Sequence, residues 1–279
     1  KFLAVLIFSC IWLLVVYAPI THWIWGGGWL ANMGVQDFAG GLVVHLNCGV
    51  AALVFAYLLG PRNSKKQLVP HSPPLAMIGT SMLWIGWFGF NGGSALAADG
   101  NAGMAMTVTH ISASTAALVW MAIEWIKHGK PTLVGVATGC IAGLATNTPA
   151  SGFIGPSGAL VIGILAAIIC YYMVGFVKNF LKIDDTLDVF AVHGIGGLLG
   201  TLLLAPLGSK SFGGLGASEV GILEQLNIQV LASIAVAIWS GIVSFIILII
   251  LKNTIGIRVS KDEEEAGLDR SSHSESAYN

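Results

Sequence analysis

The sequence predicts an all-α, polytopic transmembrane helical bundle, and three observations carry that expectation. Of the 279 residues, 55% are hydrophobic and 10% charged, against about 25% charged in an ordinary soluble domain. Apolar runs long enough to cross a bilayer recur along the whole chain. The basic residues fall almost entirely in alternate connections between those runs.

A spanning helix needs about 20 mostly apolar residues. Eight runs fit: Phe2 to Ala18, Phe38 to Leu59, Leu75 to Ala98, Gly103 to Ile126, Leu133 to Thr148, Ile154 to Val177, Val189 to Leu207 and Ile228 to Leu251. The fifth is short and runs into Asn147-Thr148-Pro149-Ala150-Ser151-Gly152, a breaker cluster read as a loop. The 36 glycines exceed the roughly 20 that average usage gives. Most lie inside the apolar runs, where small residues let helix backbones approach.

Eight spans return the chain to the face on which it starts. That face collects Lys1, Arg62, Lys65, Lys66, Lys127, Lys130, Lys178, Lys182, Lys252, Arg258, Lys261 and Arg270. Twelve of the thirteen basic residues are thus together, with Lys210 alone opposite, which makes the basic face cytoplasmic. The chain divides into a membrane domain, 1–252, and a cytoplasmic tail, 253–279. In the tail Lys261 and Arg270 flank Asp262-Glu263-Glu264-Glu265, and its polar, Ser-rich composition predicts a solvated, partly disordered segment.

A net charge of −1 gives no basic field for nucleic acid. The four cysteines, Cys10, Cys48, Cys140 and Cys170, all lie in apolar runs without metal-ligand spacing and read as packing residues. No nucleophile stands beside a positioned base, and there is no phosphate loop or zinc motif, so neither an enzyme nor a cofactor or metal is expected. The chain begins at Lys1 without Met or a signal-peptide pattern and reads as a piece of a longer protein.

Ionisable groups inside a span are expensive, about 2.5–3.5 kcal/mol for Asp at a helix centre. Those present are therefore informative: Asp37 with His45, His110, and Asp188 with His193. His45 lies eight residues beyond Asp37, about 12 Å along the helix. The flanking Gly, Ala, Val and Leu favour a neutral imidazole on both His45 and His193, each with one donor and one acceptor nitrogen. Two facing imidazoles can share one hydrogen bond and keep a group apiece for a passing polar molecule.

Asp37 to His45 and Asp188 to His193 both pair a carboxylate with a buried histidine. Each histidine has a glycine four residues on, Gly49 and Gly197. The second span runs inward and the seventh outward, the pattern of an inverted repeat with its site between the halves. His110, after Thr107 and Thr109, reads as a packing histidine bonded to a hydroxyl or carbonyl. Asp37 reads as a helix N-cap whose field also favours a nearby cation, and Asp188 as a cap only. Trp23, Trp25 and Trp29, in the connection Pro19 to Gln36, read as interfacial tryptophans.

Several motifs in register resemble the Amt/Mep/Rh ammonium transporter family. They are Trp25-Gly26-Gly27-Gly28; Asp37-Phe38-Ala39-Gly40-Gly41 through Val44-His45 to Gly60-Pro61-Arg62; Gly86-Trp87-Phe88-Gly89-Phe90-Asn91 with Ser94; and Asp188-Val189-Phe190-Ala191-Val192-His193-Gly194. The tail, with Gly267-Leu268-Asp269, His273, Glu275, Ala277 and Tyr278, looks like that of the bacterial branch.

The resemblance implies a fold of eleven spans, of which eight are present and about three would precede Lys1. It implies a recruitment site for ammonium at Trp25 and Ser94 with Asp37 beneath it, Phe90 as one of two stacked gate phenylalanines, and Trp87 on the pore wall. It makes His45 and His193 the twin histidines of an apolar pore for ammonia. Homotrimers in the inner membrane, and a PII-type signal protein docking on the tail, are implied as well. Some relatives act as ammonium sensors, which is the alternative function.

Overall fold

The computed structural model describes residues 1–63, 69–216 and 220–276. Lys65 and Lys66 of the basic face, and Ala277 and Tyr278 of the tail, lie outside the described residues. The architecture is all helical, as the composition predicts.

Among the described residues, seven helices are long and apolar enough to cross a membrane. The remaining expected span, the third, forms Pro73–Gly93. Its 21 residues extend about 31 Å, enough for the hydrocarbon core. Five glycines, two tryptophans and Asn91 keep its hydropathy below that of the other seven.

The first span runs past its expected end at Ala18, continuing through a π turn, Leu13–Tyr17, and on to Trp25. Pro19 lies inside this helix and has no N–H for the carbonyl four residues back. Here the Val15 carbonyl instead accepts a hydrogen bond from Trp239 Nε1 of the last span, at 3.1 Å. Trp23 and Trp25 therefore end a helix, and Trp29 opens a short one, Trp29–Asn32.

The fifth span, Leu133–Asn147, runs directly into a 3-10 turn, Thr148–Ala150, so the breaker cluster continues the helix as a tighter coil. It is the most buried of the seven spans. The fourth span, Gly100–His128, packs on the fifth and on the sixth, Pro156–Phe180. The last, Ile222–Thr254, packs on the second, Gly41–Leu59, and the seventh, Phe190–Leu207.

Connections expected on one face meet at one end of the bundle. Arg62 pairs with Asp184 at 2.7 Å and Lys178 with Asp188 at 2.6 Å, and Arg258 donates to the Leu59 and Pro61 carbonyls. At the other end Phe38 N–H donates to Pro149, and Leu215 N–H to Phe153.

The tail departs from the solvated, disordered segment that its composition predicts. Ser260 and Glu263 form a capping box that starts a helix, Lys261–Ala266, and a second helix follows at Leu268–His273. Glu264 fastens it to the bundle: it accepts from the Asn63 N–H at 2.7 Å and from Arg258 Nη2 at 2.9 Å. The Phe2 ring lies edge-on to His273, with centroids 5.4 Å apart.

Candidate functional site

The second span is started by Asp37. Its Oδ1 accepts from the N–H groups of Gly40 (2.9 Å) and Gly41 (2.6 Å), and its Oδ2 from Leu42 (2.8 Å) and Val43 (3.1 Å). The four orphan donors of a helix start are thus met by one carboxylate. Gly40 makes the turn possible, with φ at +116°, a conformation closed to other residues. A π turn, Gly41–Leu46, follows and carries His45; such turns often occur at functional positions in helices.

The seventh span repeats this design, and here the sequence reading needs correction. The capping acid is Asp185, not Asp188: its carboxylate accepts from Val189 N–H at 3.1 Å and Phe190 N–H at 2.8 Å. Asp185 stands eight residues before His193, as Asp37 does before His45. Asp188, at φ +57°, turns its carboxylate outward to Lys178. His193 also lies in a π turn, Phe190–Gly194.

The two helices cross where neither has a side chain. A Cβ on Gly49 would strike the backbone of Gly194, and one on Gly197 would strike Gly41 O and His45 Cβ. Each glycine four residues past its own histidine thus seats the turn that carries the other histidine. The crossing brings His45 Nδ1 and His193 Nδ1 to 3.2 Å, with ring centroids 5.2 Å apart. With both rings neutral, a hydrogen bond between the Nδ1 atoms requires opposite tautomers, which leaves one Nε2 a donor and the other an acceptor.

Both rings face a cavity of about 900 Å³ whose other lining includes Val44, Ala76, Leu83, Trp87 and Phe90. The Trp87 indole lies nearly parallel to His45, with centroids 5.5 Å apart and 17° between planes, and to His193 at 18°. Its Nε1 donates to Thr148 Oγ1 at 2.9 Å, so the 3-10 turn orients the wall. Phe90, one turn on, is 5.6 Å from Trp87 and 6.2 Å from His45. Four of the seven expected site residues therefore share one cavity.

Trp25, Ser94 and Asp37 lie outside the wall of that cavity. Trp25 is 44% exposed, and its Nε1 donates to the Asp37 carbonyl at 2.7 Å. Ser94 ends the third span, with its hydroxyl on Phe90 O at 2.8 Å. Asp37 is 6% exposed, with both oxygens held by the backbone. His110 packs beside the rings of Trp84 and Phe88, where a hydroxyl or carbonyl partner was expected.

Two partners escaped the sequence reading, Asp185 and Thr148. The equal spacing of eight is a signal for the first; nothing local marks Thr148. Two imidazoles and an indole in a mostly apolar cavity leave few polar groups to replace the hydration shell of a bare cation.

Comparisons with known proteins place the chain in a family. The sequence profile of the Ammonium Transporter Family matches residues 1–278. The ammonium transporter of Aquifex aeolicus (strain VF5) is 47% identical over 279 residues, covering 100% of this chain and 66% of that protein. Ammonium transporter Amt1 of Archaeoglobus fulgidus is 47% identical over 276 residues, covering 98% and 70%. Among solved structures, Candida albicans Mep2 superposes with a TM-score of 0.84 at 38% identity, over 93% of this chain and 60% of its own. A protein described as Sensor Amt Protein superposes with a TM-score of 0.86 at 34% identity, over 93% and 67%. This chain thus spans about two thirds of the length of such relatives. With a matching profile along nearly its whole length, relatives at 47% identity and a helical membrane architecture, the chain belongs to the ammonium transporter family.

Proposed function

We propose that the protein containing this chain moves ammonium across a cell membrane by conducting it as ammonia past His45 and His193. The observation that carries the reading is the 3.2 Å contact between the two Nδ1 atoms inside a mostly apolar cavity. Ammonium is collected at the outer face by Trp25, through cation–π attraction, and by the Ser94 hydroxyl. Asp37 adds a negative field from beneath and holds the indole through its carbonyl. The cation gives up its proton near Phe90, because a desolvated charge is costly in such a lumen and ammonia is not. Potassium has no proton to lose and is rejected by the same physics.

The same reading puts the Arg62 and Arg258 end in the cytoplasm of an inner-membrane protein, assembles the protein as a homotrimer, and gives the tail to a PII-type signal protein. Influx of ammonium into proteoliposomes holding the full-length protein, against empty liposomes, tests it. Uptake well above the lipid leak supports transport, and uptake equal to the leak refutes it.

The likeness to a protein described as Sensor Amt Protein favours one second reading, an ammonium sensor with little conduction. Saturable ammonium binding without flux in that assay would select it.

A further inference from the structure

Gln229, on the last span, is fully buried at 0% exposure. Its amide pairs with the backbone of Gln36 as a neighbouring β-strand would. Oε1 accepts the Gln36 N–H at 2.9 Å, and Nε2 donates to the Gln36 carbonyl at 2.7 Å. One turn earlier, Gln225 is 2% exposed; its Nε2 donates to the Gly34 carbonyl at 3.1 Å and to Gln229 Oε1 at 3.1 Å. Gln229 Nε2 also reaches the Thr201 carbonyl of the seventh span at 3.3 Å.

Buried amides in an apolar helix are costly unless bonded, so two at successive turns need a reason. The segment they grip supplies it. Residues 35–37 have no helix or strand of their own; Val35 N–H returns to the Leu30 carbonyl, and the Gln229 amide takes both backbone groups of Gln36. Gln36 directly precedes Asp37, whose carbonyl takes the Trp25 indole N–H and whose carboxylate starts the helix that carries His45.

We propose that Gln229 is a positioning residue for the outer collection site: by pairing with the Gln36 backbone it fixes Asp37, and through Asp37 the plane of Trp25. The proposal rests on the reading of Trp25 as the collector of ammonium. Gln229 itself touches no substrate. Its loss lowers apparent affinity and leaves passage past the histidines intact.

The test uses full-length protein in proteoliposomes, with Gln229→Leu, Gln229→Glu, Trp25→Leu and the Gln229→Leu/Trp25→Leu double variant. Glu keeps the acceptor for Gln36 N–H and loses the donor to its carbonyl. Loss of one to two buried hydrogen bonds predicts a KM for ammonium about threefold higher in Gln229→Glu and about tenfold higher in Gln229→Leu, with maximal flux within about twofold of wild type. In the Trp25→Leu background Gln229→Leu adds nothing further. Hydrogen exchange at the Gly40 to Val43 amides, read separately, is faster in both single variants. Unchanged exchange, an unchanged KM, or an effect additive with Trp25→Leu overturns the proposal. If Gln229→Leu does not fold, Gln229→Glu decides by the same readouts. Absent flux in the wild type defeats the collector reading itself, while the exchange data still judge the positioning.

Discussion

Asp37 and Asp185 each cap the start of a helix whose histidine stands eight residues further along, and the two helices cross so that the histidines touch. Caps, spacing and π turns recur in both halves, and the seat for each histidine's turn is a glycine of the opposite half. The contact between imidazoles is therefore a product of the inverted repeat, not of one helix alone.

Unequal caps predict unequal losses. Asp37 satisfies four N–H groups and Asp185 two. Asp185→Ala is expected to cost about 1 kcal/mol, and Asp37→Ala at least about 2 kcal/mol because more buried donors are orphaned. Thermal unfolding of the purified full-length variants ranks them; equal melting temperatures contradict the capping account.

The glycine crossing makes a sharper contrast. Gly49→Ala and Gly197→Ala press a methyl group into backbone of the opposite helix, expected to cost about 1–3 kcal/mol. Gly103→Ala, with nothing within 4 Å, is expected to gain about 0.5–1 kcal/mol from helix propensity. The same unfolding assay reads both signs.

Much of this was legible in the sequence. Apolar runs located the helices, and His45 and His193 stood out as costly residues in such runs. The acid of the second half was misread because Asp188 is nearest to the motif and Asp185 precedes it by one turn; only the backbone shows that Asp188 turns away at φ +57°. The first span was expected to end at Ala18; Trp239, whose indole donates to the Val15 carbonyl that Pro19 leaves without a donor, is 220 residues beyond Pro19. The tail misled by composition: Glu264 looks like one of several solvated acids until Asn63 and Arg258 are found beside it.

The docked tail is expected to be pH-sensitive. The Asn63 N–H and the Arg258 guanidinium hold the Glu264 carboxyl below its ordinary value, and Arg62 does the same to Asp184. A depressed carboxylate stabilises the docked form at pH values above its free pKa, about 4.3 for Glu. That contribution fades as pH falls through the lowered, docked value. Protection of residues 258–276 from hydrogen exchange should hold at pH 7 and fall off below about pH 4, and Glu264→Gln should weaken it already at pH 7. Protection that is the same in both proteins at every pH contradicts the latch.

The most direct measurement is ammonium and potassium flux through full-length His45→Leu/His193→Leu protein in proteoliposomes. Leucine keeps the apolar wall and removes the paired nitrogens, so ammonium flux should fall, or potassium rejection fail, relative to wild type. Wild-type ammonium flux with intact potassium rejection in the double variant would contradict the account.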